Sequence, residues 1–210
     1  MARHLLVFLL AILVFCFSPA PVSANLRPYI EKYQSTSISK GSLRRIRQYD
    51  HLISSFTSFS YFRPRYRVSA DFIRALILAE SNGDPAAISN RHAIGLGQII
   101  LSTGRQAAQE LYQLPLDFHY VDRERLRDLS RDDLFDPATN ILLTCYLISK
   151  YNYKFDGRLE LVISAWNAGE NTSSLADGQS APYVETKDLI GKVNGFYLYL
   201  LRQKGRIRYR

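Results

Sequence analysis

Residues 76–100, LILAESNGDPAAISNRHAIGLGQII, carry an apolar helical run up to one carboxylate, Glu80. The chain then breaks at Ser81-Asn82-Gly83 into a loop of small and polar residues. Glu80 follows Ile73, Leu76 and Ile77 at spacings of seven, four and three, so the four share one helical stripe. An inward-facing stripe strips water from the carboxylate and disfavours its charge. The last turn of a helix is also the negative pole of its macrodipole, where an anion is unwelcome. Both effects raise the pKa, which is what a general acid at neutral pH requires. The local pattern leaves a second option open, a glutamate partly exposed in a fraying last turn.

Around Glu80 stand further residues with chemistry to offer. Gly95 and Gly97 flank Leu96 ahead of Gln98, and such glycines let a backbone approach a ligand closely. The Gln98 amide can hydrogen-bond a sugar hydroxyl or acetamido group. In SAWNAG, Trp166 and Asn167 precede a helix-ending glycine. Trp166 is either core or a flat platform for a pyranose ring. A second carboxylate is not evident: Asp84-Pro85 reads as turn chemistry, and Asp71 lies more than two turns from Glu80. No Cys/His cluster has ligand spacing, so neither metal nor organic cofactor is expected.

These residues need a frame, and the patterns are helical. Ser69 caps ADFIRALILAES, with Asp71 in the first turn. Ser102 or Thr103 can cap GRQAAQELYQL, and Asp136-Pro137 opens a helix over 138–153. Asp156-Gly157 makes a turn, LELVISAWNAG ends at Gly169, and a last helix runs over about 186–201. Its apolar side holds Leu189, Ile190, Val193, Phe196, Tyr197 and Leu200. Upstream, SLRRIRQYDHLISSF can place Leu43, Ile46, Tyr49 or His51, and Ile53 on one face of a helix with Arg44, Arg45 and Arg47 mostly outside. Alternating strand patterns are nearly absent. The expected fold class is mainly α, a single helical domain with a groove and a short helical extension before it.

The chain has 210 residues, enough for one well-buried domain plus an extension, and a formal net charge of +8. That charge suggests an anionic partner. Residues 1–24 combine a basic start, an apolar run from Leu5 to Phe17 and a small-residue exit at Val22-Ser23-Ala24, the pattern of a cleaved export signal. The run is short for a membrane span, so no stable transmembrane segment is expected after cleavage. Export points the positive charge away from nucleic acid and toward an anionic wall. It also leaves Cys145 as the one mature cysteine, set in NILLTCYLI as helix core.

Taken together, the motifs resemble the catalytic domain of the soluble lytic transglycosylases, a branch of the lysozyme-like superfamily. AESNGDPAAIS is similar to the family's Glu-Ser motif with its later serine, and GLGQI to its Gly-Leu-Met-Gln motif. LFDPATNI resembles Asp-Pro-x-x-Asn-Ile, AWNAG resembles Ala-Tyr-Asn-Ala-Gly, and ETKDLIGKV resembles Glu-Thr-x-x-Tyr-x-x-Lys-Val. The five occur in the family's order over about residues 65–202.

The resemblance implies a lysozyme-like α+β fold, a catalytic domain over 65–205 and an extension over 25–64. It also implies cleavage of the β-1,4 bond between N-acetylmuramic acid and N-acetylglucosamine in peptidoglycan. Glu80 matches the acid/base, while Ser89, Gln98, Asn167 and Glu185 match groove positions. Gly95, Trp166 and Tyr146 are carried with them as substrate contacts. The expected partners are peptidoglycan glycan strands, with a cell-envelope or secretion complex left open, and the expected place is the periplasm or envelope. Four departures stand out. Gly97 replaces a methionine, Trp166 a tyrosine, Leu147, beside Tyr146, the tyrosine that follows the Asn-Ile motif, and Leu189 the tyrosine of the last motif, a packing change. Two alternatives follow: a hydrolytic muramidase using the same glutamate, and a weakly active peptidoglycan-binding module.

Overall fold

The computed structural model describes residues 26–205. The export-signal reading of residues 1–24 lies outside them. Ten α-helices form the domain: α1 (Arg27–Tyr33), α2 (Lys40–Arg47), α3 (Asp50–Ser58), α4 (Ala70–Ser81), α5 (Leu101–Tyr112), α6 (Arg123–Arg127), α7 (Pro137–Lys154), α8 (Leu159–Ala168), α9 (Ser173–Ala176) and α10 (Val184–Gln203). Strand structure among the described residues is limited to two isolated bridges, Ile88 with Ile94 and Ile94 with Ile99.

The central element is α4. Ser69 caps it, its hydroxyl accepting from Phe72 N at 3.1 Å. Phe72, Ile73 and the run Ala75–Ala79 are all buried, so the helix is covered on nearly every side rather than along one stripe. It lies against α10, α3 and α2, while α7 packs on α8, α3 and α5. Asp136 caps α7 by accepting from Thr139 N at 2.9 Å, with Pro137 in the first turn, as the sequence predicts.

Two expectations change. SLRRIRQYDHLISSF is not one helix: Tyr49 leaves helical geometry and separates α2 from α3. Neither Ser102 nor Thr103 caps α5, which starts at Leu101 after Ile100 and has no side-chain cap.

The extension shares the core. Leu26, Ile46, Ile53 and Phe56 are fully buried with the α4 and α7 side chains. Helix α1 lies on α10, where a Cβ on Gly191 or Gly195 would overlap the Tyr29 or Tyr33 carbonyl oxygen. The outward arginines of α2 are not all idle, because Arg45 Nε donates to Asn82 O at 2.9 Å. That contact braces the turn just past Glu80.

Candidate active site

Glu80 occupies the last turn of α4, and the chain leaves that turn through a left-handed residue, Asn82, at φ 56°. Ser81 fixes the exit. Its hydroxyl donates to Leu96 O at 2.8 Å and accepts from Gly83 N at 3.2 Å, joining the glutamate's helix to the following loop.

That loop is held by its own polar groups. Ser89 Oγ accepts from Arg91 N at 3.2 Å and Ala93 N at 3.0 Å. Gln98 has φ 53°, and its Nε2 donates to Ala87 O and Gly95 O at 3.2 and 2.9 Å. Its donors therefore serve the loop, and its carbonyl oxygen is the end left to face a ligand. Asn140, fully buried on α7, accepts from Gly97 N at 2.8 Å and donates to Ile94 O and Leu134 O. One side chain thus satisfies three backbone groups of the loop and its neighbour.

The glycines answer to α7 rather than to the groove. A Cβ on Gly95 (φ 76°) would overlap Leu134 O and Asn140 Nδ2, and one on Gly97 would overlap Thr144 Oγ1. The side of Gly95 on which a Cβ would stand is thus filled by Leu134 and Asn140. The same packing disfavours any side chain at Gly97.

A cleft opens between this loop, α7, α8 and the start of α10. Glu80, Ser89, Gln98, Trp166, Asn167 and Glu185 all line it. Leu147, Tyr151 and Thr103 complete that wall. Tyr146 does not reach it. Its hydroxyl donates to Glu110 at 2.7 Å and its ring stacks on Phe62, on another face of α7. One residue of helix turns a side chain by roughly 100°, so Leu147 and Tyr151, four apart, face the cleft while Tyr146 faces away. A second cleft adjoins the first, sharing Glu80, Ser89 and Gln98 with it and lined also by Ile88, Lys192 and Phe196.

The glutamate is partly exposed, and its pKa is pushed up to about 7. Burial is the main cause, and the negative charge of Glu185 adds to it. Two groups oppose the rise: Trp166 Nε1 donates to Glu80 Oε1 at 2.7 Å, and the Lys192 ammonium is nearby. Lys192 Nζ also donates to Ala79 O at 2.6 Å, placing a cation on the C-terminal pole of α4. The dipole that the sequence adds to the burial effect is thus partly answered. Asn167 Oδ1 accepts from Thr186 Oγ1 at 2.6 Å, fixing α8 to α10 beside the cleft.

Ser81, Asn140, Tyr151 and Lys192 are not among the site residues that the sequence singles out. Ser81, Asn140 and Lys192 do fall inside the quoted motifs, so a signal for them exists. Tyr151 has only its spacing of four from Leu147. Among the described residues no cluster of three or more His, Cys, Asp or Glu could hold a metal ion.

A helical core of this kind, with a groove crossing the end of a buried central helix, defines a lysozyme-like domain. The chain is a member of the transglycosylase SLT domain family, whose match spans residues 59–185. It is 30% identical over 151 residues to a Haemophilus influenzae protein carrying the name soluble lytic murein transglycosylase, covering 65% of this chain and 23% of that one. It is 32% identical over 112 residues to the membrane-bound lytic murein transglycosylase C of Shigella sonnei, covering 50% of this chain and 28% of the relative.

Two solved structures share the fold at 18% identity. The lytic transglycosylase Slt of Pseudomonas aeruginosa has a TM-score of 0.55 over 75% of this chain and 24% of its own. The 70 kDa soluble lytic transglycosylase of Escherichia coli has a TM-score of 0.54 over 86% of this chain and 34% of its own. The chain thus spans a quarter to a third of the length of these relatives.

Proposed function

We propose that the chain is a peptidoglycan lytic transglycosylase that cleaves the MurNAc-β-1,4-GlcNAc bond and leaves 1,6-anhydro-MurNAc ends. One observation carries the reading: Glu80, with a pKa near neutrality, lines the cleft and is held by a donor that cannot accept. An indole N–H only donates, so Oε1 is kept as the acceptor and the acid proton falls to Oε2. Protonated Glu80 gives that proton to the glycosidic oxygen as the bond to C1 breaks. The resulting carboxylate, steadied by Trp166 and Lys192, takes the proton of the muramoyl C6 hydroxyl while its oxygen attacks C1. The nucleophile comes from the substrate, so one carboxylate suffices.

The same reading assigns residues 65–205 as the catalytic domain, 25–64 as a bracing extension and 1–24 as the export signal. It places the protein in the periplasm or envelope, on glycan strands. Ser89, Gln98, Trp166, Asn167 and Glu185 are the substrate contacts. No helix among the described residues is long and apolar enough to cross a membrane.

A second reading has a specific observation behind it. Glu185 also lines the main cleft, and a paired carboxylate is what hydrolysis needs. Hydrolysis is nonetheless the weaker reading, because the family and the named relatives are lytic transglycosylases. The end group of the product tests between them: anhydromuramic acid for the transglycosylase, a reducing end for the muramidase.

A further inference from the structure

The Arg91–Glu185 ion pair, at 2.9 Å, is part of the lining of the groove. Arg91 belongs to the Ser89–Ala93 turn and Glu185 to the first turn of α10, and both line the cleft that holds Glu80. Of the side chains lining that cleft, Arg91 is the one cation, and it is paired with Glu185. A substrate bearing a carboxylate would meet the Glu185 charge there, and one guanidinium able to answer it.

The base of Arg91 is fixed and its head is exposed. Its backbone N–H is bound to Ser89 Oγ, and Ser89 N in turn donates to Ala93 O at 2.9 Å, closing the turn. The side chain beyond is 72% exposed. An ion pair this open to water is worth little, so exchanging Glu185 for another carboxylate costs little. A guanidinium also matches a carboxylate with two parallel donors, a geometry that a lysine lacks.

Resting on the proposed function, we infer that Arg91 is a specificity residue that leaves Glu185 for a carboxylate carried by the glycan. The enzyme then prefers strands with an ionised carboxylate next to the scissile bond over neutral strands of the same sugars. That carboxylate comes either from the lactyl ether of a peptide-free muramoyl residue or from a stem peptide.

The test is calorimetric binding to Glu80→Gln protein, with and without Arg91→Gln or Arg91→Lys added. Three ligands are compared: peptide-free strands with free lactyl carboxylates, the same strands amidated to neutrality, and strands that keep their stem peptides. With Arg91 present, a carboxylate-bearing strand binds about fivefold more tightly than the amidated one. Arg91→Gln abolishes the preference and Arg91→Lys keeps part of it. Preference for the peptide-free acid identifies the lactyl group, and preference confined to peptide-bearing strands identifies the stem. In protein with Glu80 intact, Arg91→Gln raises KM for the preferred strand severalfold and leaves kcat within about twofold. A preference that survives Arg91→Gln, or binding that ignores carboxylates altogether, overturns the inference. Binding that follows Arg91 while no strand is cleaved leaves it standing and overturns the proposed activity instead.

Discussion

Trp166 and Glu80, 86 residues apart, meet in a hydrogen bond of 2.7 Å between the indole N–H and one carboxylate oxygen. The contact joins the C-terminal turn of α4 to that of α8 and gives the departure from tyrosine at position 166 a physical meaning. A phenol hydroxyl both donates and accepts, whereas an indole N–H can only donate. The substitution restricts which oxygen of Glu80 carries the proton.

Trp166→Phe keeps a ring and removes that donor. The hydrogen bond holds the carboxylate pKa down, so its loss raises the Glu80 pKa further. If the protonated acid starts the reaction, the alkaline limb of the pH–rate profile moves up by about one unit. Initial rates between pH 5 and 9 give the shift; an unmoved limb would separate Trp166 from the titration of Glu80.

Glu80 also links pH to stability. Its pKa is raised from 4.5 to about 7, so folding penalises the ionised form. Stability is full below the unfolded value, declines as pH rises through the window from 4.5 to about 7, and then levels. Glu80→Gln removes the penalty. At pH 8 the variant gains at most on the order of 3 kcal/mol, and the gain fades toward pH 4. Thermal melts of both proteins at the two pH values measure it, and equal differences at both would refute the link.

Gly97→Ala tests the contact between loop and helix. Its Cβ would overlap Thr144 Oγ1, so the variant loses roughly 1–3 kcal/mol through overpacking. Thr144→Ala clears the space, and the double variant recovers part of that loss. Denaturant melts of the four proteins close the cycle; strictly additive losses would show that the two sites do not touch.

Much of this was legible in the sequence because local rules decide it. Ser69 and Asp136 cap the helices they were expected to cap, and the apolar period of residues 70–81 places Glu80 in a last turn. Fold class follows from the same periods. The failures are tertiary. Nothing near Gly95 or Gly97 announces that Asn140 and Thr144, more than 40 residues on, occupy the space their side chains would need. Tyr146 and Leu147 are adjacent in the chain, and only the packing of α7 decides which one faces the cleft. Lys192 reaches Ala79 across 113 positions, which no local pattern encodes.

Glu185→Gln separates the two chemistries proposed for the groove. In a transglycosylase the nucleophile is the substrate's own C6 hydroxyl, so the variant still yields anhydro ends, at a rate lowered by altered binding. In a muramidase relying on Glu185 as base, the same change lowers turnover by about 10²–10⁴-fold. Chromatography of reduced and unreduced digests distinguishes the outcomes.

The central claim is that Glu80 alone performs both proton transfers. Mass spectrometry of the soluble products that purified residues 25–210 release from intact sacculi, with Glu80→Gln run beside it, tests this most directly. The account predicts anhydromuropeptides from the unaltered protein and none from the variant. Reducing-end products that depend on Glu80, or anhydro products that persist without it, would contradict it.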